Sequence, residues 1–190
     1  GAGNTGIAAA ANLTLAGFDV TLGELPEFSE ALEPISSERI IHLFGAARTG
    51  PATIHRITTD VGEAVHASNV LLLMVPAYGH APWARAVAPH LDKDKTLVLI
   101  PGTLGSLETV RILSEAGAAA VTVAETDTAP YVCRRTQPDG ATIWGVVPHV
   151  GLGVFPATET ERVRALLDPL LPGLVTYSNV LECGLSAINP

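Results

Sequence analysis

The sequence begins with GAGNTG at residues 1–6, a Gly-x-Gly-x-x-Gly pattern. Apolar residues at positions 7, 10, 11 and 15 then follow with helical spacing, and Gly17 marks the predicted end of that helix. Glycines in such a loop let backbone N–H groups at a helix N-terminus approach a phosphate. The pattern normally follows a buried strand. We therefore expect the natural protein to continue upstream of Gly1 with an apolar strand of about five or six residues.

A carboxylate follows the next predicted strand, at the position where a dinucleotide-binding loop is accompanied by an acid. The segment FDVTL (18–22) predicts a short strand that ends near Gly23, and Glu24 comes eighteen residues after Gly6. An acid at this position accepts hydrogen bonds from the hydroxyls of an adenosine ribose; the alternative is a solvated turn residue. No arginine lies nearby in the sequence to pair with a 2′-phosphate, so the pattern favours NAD, with NADP less favoured.

The middle of the chain alternates between apolar strands and helices. Strands are predicted at NVLLLMVP (69–76), TLVLI (96–100) and AVTVAE (120–125), with helices at WARAVAPHL (83–91) and LETVRILSEAG (107–117). Such alternation implies right-handed βαβ units and a parallel sheet covered on both faces. The fold class is therefore α/β, with a Rossmann-type, doubly wound and mainly parallel sheet.

Consecutive strands replace this alternation after Glu125. They are predicted at APYVCRR (129–135), ATIWGVV (141–147) and VGLGVF (150–155), followed by a helix over 158–171 and a strand at GLVTY (173–177). This change argues against a methyltransferase, whose second half would keep alternating with helices. Two further strands are predicted at RIIHLFG (39–45) and ATIHRITT (52–59). Capping boxes are predicted at Asp60 with Glu63 and at Thr158 with Glu161.

Composition narrows the functional classes. Hydrophobic residues make up 47% of the 190 residues and charged residues 16%, which suits one domain, or one domain and the start of another. A formal net charge of −8 argues against nucleic-acid binding. No apolar run is long enough to span a membrane. The two cysteines lack zinc-binding spacing and the six histidines are scattered, so we expect a cytoplasmic protein without a metal site.

Five stretches together resemble the octopine/nopaline (opine) dehydrogenase family. They are GAGNTG, VPAYGHA (75–81), PGTLGSLE (101–108), AETDTAPYVCR (124–134) and NVLECGLSAINP (179–190). The resemblance runs along the whole chain and implies the N-terminal NAD(P)-binding domain of an oxidoreductase that acts on CH–NH donors. In this family a 2-oxo acid condenses with an amino acid, and hydride from the nicotinamide reduces the imine. Residues 1–178 would then form the Rossmann domain, without its first strand, and residues 179–190 would begin an all-helical second domain.

The resemblance assigns site residues position by position. The cofactor would be bound by the glycine loop, by the acid after the second strand and by the segments after two later strands: Gly1, Ala2, Gly3, Asn4, Thr5, Gly6, Glu24, Val75, Pro76, Ala77, Tyr78, Gly102 and Thr103. The substrates would be contacted by Cys133, Arg134 and Asn189. The family's catalytic His–Asp pair lies in the helical domain, so we expect no catalytic residue in this chain and a histidine just after Pro190. A homodimer formed through that helical domain stays open.

Several residues keep two interpretations at this stage. His80 either packs at a helix start or contacts the cofactor, and Glu125 either binds a ligand or caps a loop. Arg134 and Arg135 face opposite sides of a strand, and the motif favours Arg134 as the inward one. Two other functions stay open: a related 2-oxoacid or ketopantoate reductase, and a dinucleotide sensor without turnover. Such a reductase uses a lysine acid, and neither Lys93 nor Lys95 follows a predicted strand.

Overall fold

A computed structural model describes residues 1–118 and 120–186 of the chain. In chain order, its strands are β1 (Thr21–Gly23), β2 (Ile40–Gly45), β3 (Gly50–Thr53), β4 (Arg56–Thr58), β5 (Val70–Leu73), β6 (Thr96–Leu99), β7 (Thr122–Thr126), β8 (Tyr131–Gln137), β9 (Gly140–Val146), β10 (Val150–Phe155) and β11 (Leu174–Thr176). Its α-helices are α1 (Asn4–Leu15), α2 (Glu33–Ser36), α3 (Val61–His66), α4 (His80–Val87), α5 (Gly105–Glu115), α6 (Thr160–Leu167) and α7 (Val180–Ser186). Short 3₁₀ turns precede or follow several of them. None of these helices is long and apolar enough to cross a membrane.

The chain divides into two compact units. The first unit comprises residues 1–67 and 131–147. It contains a parallel pair, β1 with β4, and a four-stranded sheet in the order β3–β2–β9–β8. Helix α1 packs on this four-stranded sheet. Its residues from Gly6 to Leu13 are all buried, and the four consecutive alanines at 8–11 let the backbone approach the strands closely.

The second unit comprises residues 68–130 and 148–190. Its five-stranded sheet has the order β11–β10–β7–β6–β5, in which β5, β6 and β7 run parallel and β10 runs antiparallel to β7. Every residue of β6 and β7 is buried. Helices α4 and α5 pack on each other, α5 packs on β7, and α7 packs on β7 and β10. The predicted α/β class, the parallel strands and the extra strands after residue 125 are thereby confirmed.

Three local predictions are wrong. The segment ATIHRITT forms two strands, because β3 pairs with β2 while β4 pairs with β1 in another sheet. The predicted helix over 158–171 begins only at Thr160, after a 3₁₀ turn at Ala157–Glu159, and no side chain caps it. Strand β5 is only partly covered, since its first three residues are half-buried. Half of the capping box predicted for α3 is confirmed, because the Asp60 side chain accepts a hydrogen bond of 2.9 Å from the Glu63 N–H, whereas the Asp60 N–H donates to the Thr58 hydroxyl and not to Glu63.

Candidate functional site

The glycine loop of the first unit leaves the N-terminus of α1 uncapped. Gly3 is the N-cap residue, with an extended backbone, and no described side chain accepts a hydrogen bond there. The first intrahelical bond runs from the Ile7 N–H to the Gly3 carbonyl, so the N–H groups before it have no helical acceptor. A Cβ added at Gly3 would meet no heavy atom within 4 Å. The helix end therefore faces open space, in which an anion can approach the free N–H donors.

Glu24 lies directly after β1, as predicted, and contacts the glycine loop. Its side chain is buried. One carboxylate oxygen, Oε2, accepts a hydrogen bond of 2.6 Å from the Ala2 N–H, and Oε1 accepts one of 2.9 Å from the Leu25 N–H. Carboxylate oxygens each accept more than one hydrogen bond, so a ribose hydroxyl has lone pairs left to bind. Glu24 thus also holds the glycine loop. The sequence predicted a ribose contact for this residue but did not indicate its bond to the loop.

Strand β8 brings Cys133 against the same loop. The Cys133 Sγ lies 3.7 Å from the Asn4 carbonyl oxygen and 4.0 Å from the Thr5 hydroxyl. Burial raises the pKa of the Cys133 thiol, against the smaller opposing effects of the Thr5 hydroxyl and the Arg134 charge, so the group stays a thiol near neutral pH. The Arg135 N–H donates a hydrogen bond of 2.8 Å to the Asn4 Oδ1. A predicted substrate residue and the loop therefore share one local network.

The two arginines of β8 lie on opposite faces of the strand, as expected. Arg135 lies on the same face of the strand as Cys133 and is half-buried, and its guanidinium donates to the carbonyls of Ala31 and Pro138. Burial lowers the pKa of Arg135. Arg134 is exposed on the other face, where no hydrogen bond or ion pair joins its guanidinium to any described residue. Within this unit Arg134 is the exposed arginine and Arg135 the half-buried one, and the contact of Arg134 with a substrate stays a prediction.

The remaining predicted cofactor residues follow strands of the second unit. Residues 75–78 come after β5, and the Tyr78 side chain is 83% exposed. Gly102 and Thr103 come after β6, between its end and the start of α5. The Gly102 N–H donates to the Thr126 carbonyl at 2.9 Å, and Thr103 has a left-handed backbone with φ of 51°. Both segments lie at the carboxyl ends of parallel strands, where ligands of α/β sheets bind.

Glu125, at the end of β7, caps α5. The residue is completely buried. Its Oε1 accepts a hydrogen bond of 3.1 Å from the Leu104 N–H and its Oε2 accepts one of 3.0 Å from the Ser106 N–H. These bonds satisfy donors that the first turn of α5 leaves without helical partners. Of the two interpretations that the sequence left open, the structure supports capping.

His80 is packed at the start of α4. Its imidazole is almost fully buried and next to Gly105, where a Cβ would collide with the ring. Burial lowers the pKa of His80, and the charge of Glu125 and the carbonyls of Val75 and Pro101 oppose this effect. The ring is therefore neutral near pH 7. Its Nε2 has no hydrogen-bond partner in the described part of the chain.

Two further predictions concern Asn189 and the absence of a metal site. Asn189 lies outside the described residues, so its assignment stays a prediction. Within residues 1–118 and 120–186, no group of three His, Cys, Asp or Glu side chains is arranged to hold a metal ion.

The fold and the open glycine loop define the class of this protein: an α/β protein of the Rossmann type. No protein-family model matches the chain. The opine dehydrogenase of Arthrobacter sp. strain 1C is 32% identical to it over 190 residues, which is 100% of this chain and 52% of that protein. The chain is a homologue of the N-terminal half of the opine dehydrogenases, and the resemblance found in its motifs is confirmed.

Solved structures share the fold. Octopine dehydrogenase with NADH and L-arginine aligns with a TM-score of 0.79 at 19% identity, over 97% of this chain and 49% of that chain. The NADP⁺-bound yersinopine dehydrogenase gives 0.78 at 19% identity, over 99% and 49%. A ketopantoate reductase from Ralstonia eutropha JMP134 gives 0.68 at 18% identity, over 94% and 55%. The chain thus spans about half the length of the opine dehydrogenases that it matches.

Proposed function

We propose that this chain is the cofactor-binding half of an NAD(H)-dependent oxidoreductase of the opine dehydrogenase type. The observation that carries the proposal is the uncapped N-terminus of α1, with open space at Gly3. A pyrophosphate there would accept hydrogen bonds from the free backbone N–H groups and would be favoured by the helix dipole. Glu24, already bonded to the loop, would receive the adenosine ribose. When bound, NADH would supply the hydride.

A preference for NAD over NADP follows from Glu24. A 2′-phosphate on the ribose would bring a second negative charge to a buried carboxylate, and like charges in such surroundings repel strongly. The NADP⁺-bound yersinopine dehydrogenase shares the fold, so a relative of similar architecture accepts the phosphorylated cofactor. The preference for NAD that we propose for this chain therefore depends on Glu24 and not on membership of the family.

We infer further that the complete protein joins a 2-oxo acid to an amino acid. The structure of octopine dehydrogenase was solved with L-arginine and, separately, with pyruvate, two molecules of these classes. In this chain Cys133, Arg134 and Asn189 are the residues we assign to substrate contact. The exposed Arg134 guanidinium, without a described protein partner, is suited to a bidentate bond with a carboxylate. The acid–base residues are assigned to the helical domain.

The domain boundary at residue 178 and the strand upstream of Gly1 are part of the proposal. Among the described residues β1 is hydrogen-bonded only to β4, so its other edge is free to accept a parallel strand. The buried Leu22 of β1 would be flanked by that strand. We also retain a cytoplasmic location and leave open a dimer formed through the helical domain.

The proposal is tested by NADH titration and by NADH oxidation with the complete protein. We expect micromolar-range binding of NADH, weaker binding of NADPH, and turnover only when a 2-oxo acid and an amino acid are both present. Turnover with the 2-oxo acid alone would favour the reductase alternative. Against that alternative, the Lys95 ammonium is buried before β6 and donates to the Ser68 carbonyl at 3.0 Å. Binding without any turnover would favour the sensor.

A further inference from the structure

We propose that Glu125 is a positioning residue that holds the loop 101–104 in the conformation required by the nicotinamide half of the cofactor. The inference rests on the proposed function, because it takes Gly102 and Thr103 as residues of the cofactor site. Glu125 itself is assigned no contact with any ligand. Its side chain acts through the backbone of the loop and of α5.

The loop needs an external constraint because its backbone is unfavourable. Thr103 and Leu104 are consecutive residues with left-handed backbones, with φ of 51° and 67°. This region is unfavourable for L-residues with a side chain, and a β-branched threonine there is an outlier. Leu104 is also the N-cap of α5, and its own side chain cannot accept a hydrogen bond. Two strained residues persist only where their surroundings hold them.

Glu125 supplies part of that constraint, at Leu104 and at the first turn of α5. Its carboxylate accepts the Leu104 N–H through Oε1 and the Ser106 N–H through Oε2. The next residue of β7, Thr126, accepts the Gly102 N–H through its carbonyl. Three hydrogen bonds therefore join the loop and the start of α5 to the end of β7, and two of them depend on the Glu125 side chain.

The Glu125 side chain is completely buried and closely packed. A Cβ at Gly102 would collide with the Glu125 side chain, and one at Gly184 of α7 would lie 2.8 Å from its Oε1. The Cys183 thiol donates to the Glu125 carbonyl at 3.5 Å. Both oxygens already accept backbone bonds, and no ion pair joins Glu125 to a described basic residue. The buried charge is balanced by backbone N–H groups and the N-terminal dipole of α5.

Asp127 provides a matched control on the same strand end. Its Oδ1 accepts a hydrogen bond of 2.7 Å from the Gly151 N–H, and its Oδ2 lies 3.4 Å from the Tyr177 hydroxyl. Both partners belong to the β10–β11 side of the sheet, not to the loop 101–104. A change from carboxylate to amide at either residue disturbs a side chain that accepts a backbone N–H at this strand end.

The experiment compares NADH with ADP-ribose, which lacks the nicotinamide ring, in the complete natural protein. If Glu125→Gln reduces the fraction of molecules whose loop 101–104 has the NADH-binding conformation to about a tenth, the apparent Kd for NADH rises about tenfold. The Kd for ADP-ribose should stay within about twofold of that of the unmodified protein, because the change does not reach the glycine loop. Asp127→Asn should leave both dissociation constants within about twofold, even where it lowers the melting temperature.

Three outcomes would overturn the inference: equal weakening of NADH and ADP-ribose by Glu125→Gln, no weakening of either, or a selective loss of NADH binding in Asp127→Asn as well. If Glu125→Gln does not fold, Glu125→Asp keeps the charge on a shorter side chain and should give a smaller loss confined to NADH. Failure of the unmodified protein to bind either molecule would instead contradict the proposed function.

Discussion

Helices α1 and α5 begin in opposite ways, although both follow a glycine-containing loop. At α1 no side chain accepts a hydrogen bond from the first turn, and Gly3 borders open space. At α5 the buried carboxylate of Glu125 accepts two backbone N–H groups. Every helix N-terminus has unsatisfied N–H donors and a partial positive charge. One end uses this property to stabilise the fold, and the other keeps it available for an anion.

This difference separates a structural acid, Glu125, from Glu24, the acid that we propose binds the ribose. Glu24 and Glu125 both end strands, and both are buried. Glu24 bonds to the loop before α1 but leaves the helix N-terminus itself open. Glu125 occupies the N-terminus of α5. Burial and hydrogen bonding of an acid therefore do not by themselves mark a binding site. The deciding observation is which donors remain without a partner.

The largest effect is expected from removing the Glu125 carboxylate, which caps the N-terminus of α5. Glu125→Ala would leave the Leu104 and Ser106 N–H groups buried without an acceptor, at about 1–3 kcal/mol each. We expect the free energy of unfolding to fall by about 2–6 kcal/mol in denaturant titrations. Asp60→Ala, which removes the exposed cap of α3, should cost about 1 kcal/mol. Equal losses in the two variants would show that burial of the cap is unimportant.

Adding a capping side chain at the uncapped N-terminus of α1 should have the next largest effect. Gly3 has φ of −73°, which any residue adopts, and a Cβ added there meets no heavy atom within 4 Å. Gly3→Asp would place a capping carboxylate at the N-terminus of α1, as Glu125 does at α5. We expect an unchanged or slightly raised melting temperature, and NADH affinity lower by about a hundredfold because of repulsion between the carboxylate and the pyrophosphate.

Gly3→Asn is the control for that change. Asparagine has nearly the same shape and also caps helices, but it carries no charge. It should therefore weaken NADH binding less than Gly3→Asp, as measured by the same fluorescence titration. If both variants bind NADH as tightly as the unmodified protein, the pyrophosphate does not bind at α1.

The smallest of the three effects concerns the acid beside the open end. Glu24→Ala removes the predicted ribose acceptor and the bond to the Ala2 N–H. We expect NADH affinity to fall about tenfold, which corresponds to about 1.4 kcal/mol. NADPH affinity should rise relative to that of NADH, because the repulsion of the 2′-phosphate is lost. Competitive titrations with both cofactors measure the ratio, and equal affinities in the unmodified protein would contradict the assigned role.

The sequence by itself determined the features that depend on local periodicity. Helix α1 after the glycine loop, the strand that ends before Glu24, the alternation from β5 to β7 and the change to consecutive strands all follow from spacing within short windows. The order of the motifs was enough to identify the opine dehydrogenase resemblance. The cap of α3 was also predictable, because Asp60 and the N–H that it accepts are three residues apart.

Only the tertiary structure decided how distant residues share the ends of strands. Glu125 caps a helix that begins twenty residues before it, and Glu24 bonds to Ala2 although helix α1 and strand β1 lie between them in the chain. Alternation along β8 separates the two arginines, but only its pairing with β9 determines that Arg135 and not Arg134 is half-buried. The arginines follow from the antiparallel pairing of β8 with β9, and the two acids share one physical reason. Parallel strands gather their carboxyl ends at one edge, so the partner of a polar side chain there depends on sheet order and register, which local sequence patterns do not contain.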